Sequence, residues 1–302
     1  MKNICDICPR NCNVDRNDKL GVCRATNNLK ISKVMLHYYE EPPISGIDKD
    51  GIKAKGSGAI FFSNCNLKCV YCQNCDISSG GQGKEITVKT LVDIFKQLEK
   101  AGANNINFVS PTHYTNQIIE ALDIYKPSIP IVWNTSGYEK VETIKRLKKY
   151  VDIFLTDFKY FNDDLAQKLS NAKNYPDYCK QAILEMRNNL PEDVFENGIM
   201  KKGIIIRHLV LPNQVLDSKN IIDWIYNNLG NNTYFSLMSQ YVPMFKAKDI
   251  PEMNRTITPL EYKILINHLN KLNFNNVFLQ DYSSANSIYT PDFSIQTDDF
   301  IY

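Results

Sequence analysis

No stretch of this 302-residue chain is long and apolar enough to span a bilayer. The opening residues, Met1-Lys2-Asn3-Ile4-Cys5, lack the apolar core of a signal peptide. Charge of one sign is missing too. The 35 Lys and Arg residues against 33 Asp and Glu leave a net charge of +2. That provides no field for gathering nucleic acid or an acidic membrane. The cysteine total is nine, an odd number, and without a signal segment a disulfide framework is not expected. Free thiols suit a reducing compartment, so a cytoplasmic protein is the expectation. The length allows one large α/β domain with a small appendage and a full core.

What is present is cysteine in two tight groups. Cys65-Asn66-Leu67-Lys68-Cys69-Val70-Tyr71-Cys72 is a C-x3-C-x2-C run directly after the apolar stretch 58–63. Three thiolates so spaced can hold three corners of a [4Fe–4S] cluster, whose usual complement is four cysteines. The fourth iron can then take a small molecule, and an open coordination position points to catalysis rather than structure. S-adenosylmethionine (SAM) suits that corner, chelating through its amino and carboxylate groups. One electron from the cluster would then cleave the sulfonium bond and release a 5′-deoxyadenosyl radical. Structural zinc is the competing reading, although zinc sites favour four ligands in separated pairs. Buried free thiols are the other.

The second group is Cys5, Cys8, Cys12 and Cys23, spaced C-x2-C-x3-C-x10-C. Four thiolates in so short a span can close around Zn2+ or a second iron–sulfur cluster, stabilising a knuckle too small for its own core. The spacing fits both. The chain therefore divides into a cysteine-rich metal-binding segment at 1–30, a main body at 31–280 and a polar, aromatic extension at 281–302. That extension would wrap the body, cover its mouth or meet a partner. Two cysteines remain. Cys75 reads as a small buried residue, with a sensitive or substrate-linked thiol as the alternative; Cys179 reads as core packing.

Residues 29–36 alternate as a strand does. In the following His37-Tyr-Tyr-Glu-Glu-Pro-Pro-Ile-Ser-Gly46, the prolines and glycine predict an ordered turn rather than a helix. Glu40 and Glu41 read most simply as solvated turn carboxylates, with an acid–base pair beside His37 as the alternative. From Gly56 onward, strands are expected at 59–63, 105–109, 129–133, 151–157, 203–209, 233–238 and 276–279. Helices are expected at 88–101, 117–125, 141–149, 179–188, 218–228 and 259–272. This alternation predicts a parallel sheet with crossover helices, curled into a partial or full barrel. Its chemistry belongs at the C-terminal strand ends. Those ends carry Ser110-Pro111-Thr112-His113, Asn134-Thr135-Ser136-Gly137, Thr156-Asp157-Phe158-Lys159, Arg207-His208 and Ser239-Gln240-Tyr241. Any one is ordinary loop chemistry; five on one rim could bind a zwitterionic ligand. His113 and His208 read either as proton donors or as hydrogen-bonded structural histidines.

The C-x3-C-x-aromatic-C pattern, with Tyr71 in the aromatic place, resembles the radical SAM superfamily. Gln73-Asn74, the Glu-Glu-Pro-Pro-Ile-Ser-Gly turn, Asn-Thr-Ser-Gly-Tyr, Asp-Phe-Lys, Arg-His-Leu-Val-Leu-Pro and the Cys-Pro-Arg-Asn-Cys start extend the match. Together they resemble the pyruvate formate-lyase activating enzyme-like proteins of the PflX type. The resemblance implies an α/β fold, a partial (β/α)6-type barrel, with Cys65, Cys69 and Cys72 as the catalytic cluster ligands. It places Ser110, Thr112 and His113 at the SAM amino group. Asn134, Thr135 and Asp157 fall near its carboxylate, with a monovalent cation beside them. Tyr71, Lys159, Arg207 and Gln240 are further SAM contacts. It implies an electron donor such as flavodoxin or ferredoxin, and hydrogen abstraction from a glycyl radical enzyme. Modification of a peptide or small molecule, by epimerisation or bond formation, is the alternative reaction. A non-catalytic redox or metal protein would leave the polar rim without a ligand. Two departures stand out: Asn134 replaces the usual Asp of activases, and Ser110-Pro111-Thr112-His113 replaces the common Gly-Gly-Glu.

Overall fold

Apolar residues at every second position, separated by amphipathic runs, build the strands and crossover helices of the body. The computed structural model describes residues 4–46, 55–285, 291–293 and 300. Its strands are β1 (Leu29–His37), β2 (Ser57–Phe62), β3 (Lys84–Ile86), β4 (Ile106–Val109), β5 (Ile131–Thr135), β6 (Ile153–Asp157), β7 (Val194–Glu196), β8 (Ile199–Leu209), β9 (Tyr234–Met238) and β10 (Val277–Leu279). The helices are α1 (Pro42–Ser45), α2 (Cys75–Ser78), α3 (Val88–Lys100), α4 (Thr115–Ile124), α5 (Val141–Leu147), α6 (Asp163–Ser170), α7 (Tyr175–Asn189), α8 (Val215–Leu229) and α9 (Pro259–Lys271). The sheet runs β10-β9-β8-β6-β5-β4-β2-β1-β3, with β7 on β8. From β2 to β10 neighbours along this path are parallel, whereas β1 and β3 add antiparallel strands beyond β2. The path does not close on itself, which makes a partial (β/α) barrel with a cysteine-rich segment at its start.

Strand alternation decides which residues face the barrel interior. Phe108, Trp133, Phe154, Ile204, Ile206, Phe235 and Leu237 join the core shared with the helices. The residues between them form separate interior clusters, one of Val132, Ile153, Leu155 and Ile205 plugged by Ile44 and Met200, another of Ala59, Phe61, Ile77 and Val109. By the same parity Asn107, Asn134, Asp157, Arg207 and Ser236 point inward. Register brings the last three side by side, Asp157 opposite Arg207 and Arg207 opposite Ser236.

The fold differs from the sequence reading at several elements. The Pro42-Pro43 stretch forms the one-turn helix α1, ended by Gly46 at φ 77°. Proline at the first helical position loses no hydrogen bond there, so it starts this turn instead of forbidding it. Helix α6 was not anticipated; Asn162 caps it by accepting the Leu165 N–H at 2.9 Å. Cys75 is half-buried rather than buried, whereas Cys179 is fully enclosed. The start of the chain is pinned to the body through Thr143 Oγ1 donating to Ile7 O (2.6 Å) and Gln117 Nε2 to Asn27 O (2.6 Å). Of the carboxy-terminal stretch, Phe293 packs its ring on Phe61 with centroids 5.5 Å apart, and Lys33 Nζ donates to Asp292 O.

His208 lies on the helix side of β8, its ring nitrogens 2.7 Å from Phe158 O and 2.8 Å from Ser218 Oγ. Burial pushes its pKa down to about 4. The folded protein therefore holds it neutral while the unfolded chain takes a proton below about 6.5. Its contribution is fully present above about pH 6.5 and is lost as pH falls towards about 4, amounting to about 3 kcal/mol. Urea unfolding at pH 7 and pH 5 should show about 2 kcal/mol of this loss in the wild type and a smaller loss in His208→Gln; equal losses would refute it.

Candidate active site

The cluster loop leaves β2 through Asn64, whose φ of 72° turns the backbone sharply before Cys65. It is laced to the end of α6, because Lys68 N–H donates to Ser170 O at 3.1 Å and Val70 N–H to Leu169 O at 2.8 Å. Arg10, from the cysteine-rich segment, donates through Nε to Asn66 O at 2.7 Å and through Nη1 to Asn171 O. Its guanidinium also stacks over the Tyr138 ring, 5.3 Å from the centroid. Cys65, Cys69 and Cys72 all open onto one cavity of about 670 Å3. Burial, reinforced by the charge of Cys69, pushes Cys65 up to about 11 and Cys72 up to about 12. Two buried thiols that resist ionising alone, with Cys69 between them, fit a cationic iron cluster, which would stabilise their thiolates.

The strand-end rim lines the same cavity through Ser110, Asn134, Thr135, Asp157, Lys159, Arg207 and Gln240, and Tyr71 lines it from the cluster loop. Ser110 itself sits at φ 57°, a conformation that non-glycine residues adopt rarely. Thr112 and His113 are not part of the lining. Thr112 Oγ1 turns inward to Glu139 Oε1 at 2.6 Å, and His113 Nε2 lies 2.8 Å from Ser63 O. Burial pushes His113 down to about 3, so it is a neutral structural histidine, as His208 is.

Glu40 and Glu41 are not solvated. Glu41 is 8% exposed and both line the cavity. Glu40 Oε1 accepts from Asn107 Nδ2 (3.0 Å) and Asn134 Nδ2 (3.1 Å), and its Oε2 meets Arg207 Nη1 at 3.0 Å. Arg207 also donates Nε to Asp157 Oδ1 at 2.9 Å and Nη2 to Asn134 Oδ1 at 2.6 Å, while Lys159 Nζ reaches Asp157 Oδ2 at 2.6 Å. Burial works against the Asp157 charge, but Arg207 and Lys159 overcome it and hold the carboxyl below its usual range. Glu41 lacks such cover. Burial pushes its pKa up, and Arg207, 4.0 Å away, only partly opposes that. The oxygens a monovalent cation would need, on Asn134 and Asp157, already accept from protein cations. The sequence signal for this cage was the Glu-Glu-Pro-Pro turn, whose burial depends on α1 folding into the barrel floor.

The second cysteine group differs in burial. Cys8 and Cys23 are buried, Cys5 and Cys12 half-buried. Arg16 Nη2 donates to Cys5 Sγ at 3.0 Å while its Nη1 meets His113 O at 2.5 Å, and the Val22 N–H lies 3.4 Å from Cys12 Sγ. Burial pushes Cys8 up to about 12. Among the described residues, no three ligating side chains close tightly enough to grip a single ion.

Arg207→Met would leave Glu40 and Asp157 buried without their guanidinium and should cost about 3–5 kcal/mol in denaturant unfolding. Adding Glu40→Gln to it should recover part of that loss. A loss under about 1 kcal/mol would show that the cage does not support the fold.

Comparison with known proteins agrees with this geometry. A family model described as the radical SAM superfamily matches residues 59–225, over half of the chain. An uncharacterized protein of Methanocaldococcus jannaschii is 35% identical over 291 residues, covering 92% of this chain and 78% of that protein. The pyruvate formate-lyase-activating enzyme of Clostridium pasteurianum is 26% identical over 234 residues, 69% of this chain and 88% of that one. Among solved structures, Streptococcus suis SuiB bound to precursor peptide SuiA superposes with a TM-score of 0.50 at 15% identity, over 72% of this chain and 47% of that chain, a likeness of fold alone. With its cluster-loop cysteines, its partial barrel and this match over most of the barrel, the chain belongs to the radical SAM superfamily and is related to the pyruvate formate-lyase activating enzymes.

Proposed function

We propose that this chain is an activase-like radical SAM enzyme that takes a hydrogen atom from a glycine of a partner enzyme. One observation supports the site assignment above all: three cluster-loop thiols and a charged strand-end rim line the same cavity of about 670 Å3. Cys65, Cys69 and Cys72 would hold the [4Fe–4S] cluster that the family implies, leaving one iron for SAM. When bound, the cluster and SAM supply a one-electron reductive cleavage that yields methionine and a 5′-deoxyadenosyl radical able to abstract hydrogen.

The chain's own residues do the rest by binding and orienting. Lys159 and Arg207 would meet the SAM carboxylate, and Ser110, Asn134, Thr135 and Gln240 would supply neutral polar contacts. Tyr71 would present the edge of its ring. Asp157 would act by holding Lys159 and Arg207 in place. Residues 1–30 would carry the second metal site on Cys5, Cys8, Cys12 and Cys23, as Zn2+ or a second cluster, and a flavodoxin or ferredoxin would deliver the electron. The glycine target rests on the relationship to the pyruvate formate-lyase-activating enzyme of Clostridium pasteurianum. A peptide or small-molecule substrate is the other outcome of the test.

Anaerobically reconstituted protein given SAM and dithionite should form 5′-deoxyadenosine, and Cys69→Ala should abolish it. Equal product from Cys69→Ala would overturn the assignment. Incubated with glycyl radical enzymes of the same cell, the wild type should generate a glycyl radical signal in EPR; deoxyadenosine without that signal would redirect the search to peptides and metabolites. The triple variant Cys65→Ala/Cys69→Ala/Cys72→Ala should still retain metal at the second site. Metal analysis finding neither iron nor zinc in it would show that the first four cysteines hold none.

A further inference from the structure

Each cluster-loop sulfur meets a hydrogen-bonding group of this chain. Leu67 N–H points at Cys65 Sγ (3.4 Å), Ser78 Oγ lies 3.1 Å from Cys72 Sγ, and Ser170 Oγ donates to Cys69 Sγ at 2.9 Å. The Ser170 contact continues through the interior. Its Oγ lies 2.6 Å from the Tyr160 hydroxyl, which lies 2.6 Å from the Tyr71 hydroxyl. A cluster-bound Cys69 thiolate can only accept, so Ser170 would place its one hydroxyl hydrogen there, its oxygen accepting from Tyr160 and Tyr160 in turn from Tyr71.

Ser170 and Tyr160 are fully buried and Tyr71 is 5% exposed, so water does not compete for these hydroxyls. The Ser170 backbone is fixed from two sides, by Lys68 N–H at 3.1 Å and Arg10 Nη2 at 3.5 Å. Serial hydrogen bonds of this kind polarise one another in a low-dielectric interior. A donor on a ligand sulfur favours the reduced cluster, which carries more negative charge there.

We propose that the hydroxyl chain of Tyr71, Tyr160 and Ser170 is a positioning relay that raises the reduction potential of the cluster through Cys69. The inference rests on the reading that Cys65, Cys69 and Cys72 hold a [4Fe–4S] cluster. It gives the aromatic residue of the cysteine run a second role, since Tyr71 would report on the cavity and on the sulfur together. No element of it needs the second metal site.

The test is an EPR-monitored redox titration of the reconstituted full-length protein, with iron measured on each sample. Ser170→Ala should shift the midpoint negative by about tenfold in the reduction equilibrium, ~59 mV for a one-electron couple. Tyr160→Phe should shift it less and Tyr71→Phe least, because each removes a donor farther from the sulfur. If Ser170→Ala loses iron, Tyr160→Phe, which keeps the ring and its packing, decides the matter. Unchanged midpoints in fully loaded Ser170→Ala and Tyr160→Phe would reduce the relay to packing. A wild type without any [4Fe–4S] signal would instead bring down the cluster reading, and the relay with it.

Discussion

Arg207 is the point on which the interior of this barrel depends. Its guanidinium reaches Glu40, Asp157 and Asn134 from one strand position, tying β8 to β6, β5 and the turn before α1. A carboxylate taken out of water is costly unless paired, and this interior holds three of them within reach of one guanidinium. Arg207 suits the place because its planar fork offers separate donors in fixed directions, which a lysine ammonium does not. Asp157 uses its remaining oxygen for Lys159, so two cations are held at the rim in defined positions. The same electrostatic cage thus ties the turn before α1 to the strands and sets both cations and carboxylates at the cavity wall.

The cluster loop depends on a different set of contacts. Its backbone donors end on α6, and Arg10 bridges the loop to the carbonyl of Asn171 just past that helix. Arg16 does the same lower down, joining Cys5 to the His113 carbonyl. The cysteine-rich segment is therefore braced against the cluster loop and against the residues that follow β4. Any metal that orders Cys5, Cys8, Cys12 and Cys23 would also order the arginines between them. Fold and chemistry meet at this brace.

The barrel was legible because its signal is local. Phe154 and Ile153 alternate between the two faces of β6, and Trp133 and Val132 do so on β5, which a period of two records directly. The cluster cysteines were legible because their spacing alone brings three sulfurs to one loop. Thr112 and His113 were less so, because whether a strand-end residue turns to the cavity or beneath it depends on the short 3-10 turn that contains them. Glu40 and Glu41 looked like surface residues because charge and proline usually mark an exposed turn. Ser170 gave no sign at all, being an ordinary serine at the end of a helix.

The sequence by itself determined the alternation of the parallel strands with most of their crossover helices, the polar strand ends that carry Asn134, Asp157 and Arg207, and the three-cysteine loop. These are properties of neighbouring residues, carried by period and spacing. The tertiary structure alone decided which inward residues share a proton or a charge. It set Glu40 on Arg207 across 167 positions and Ser170 on Cys69 across 101. Contacts at such separation arise only once the sheet has curled and α1 and α6 have docked, because desolvation makes every buried polar group seek whatever partner packing brings near.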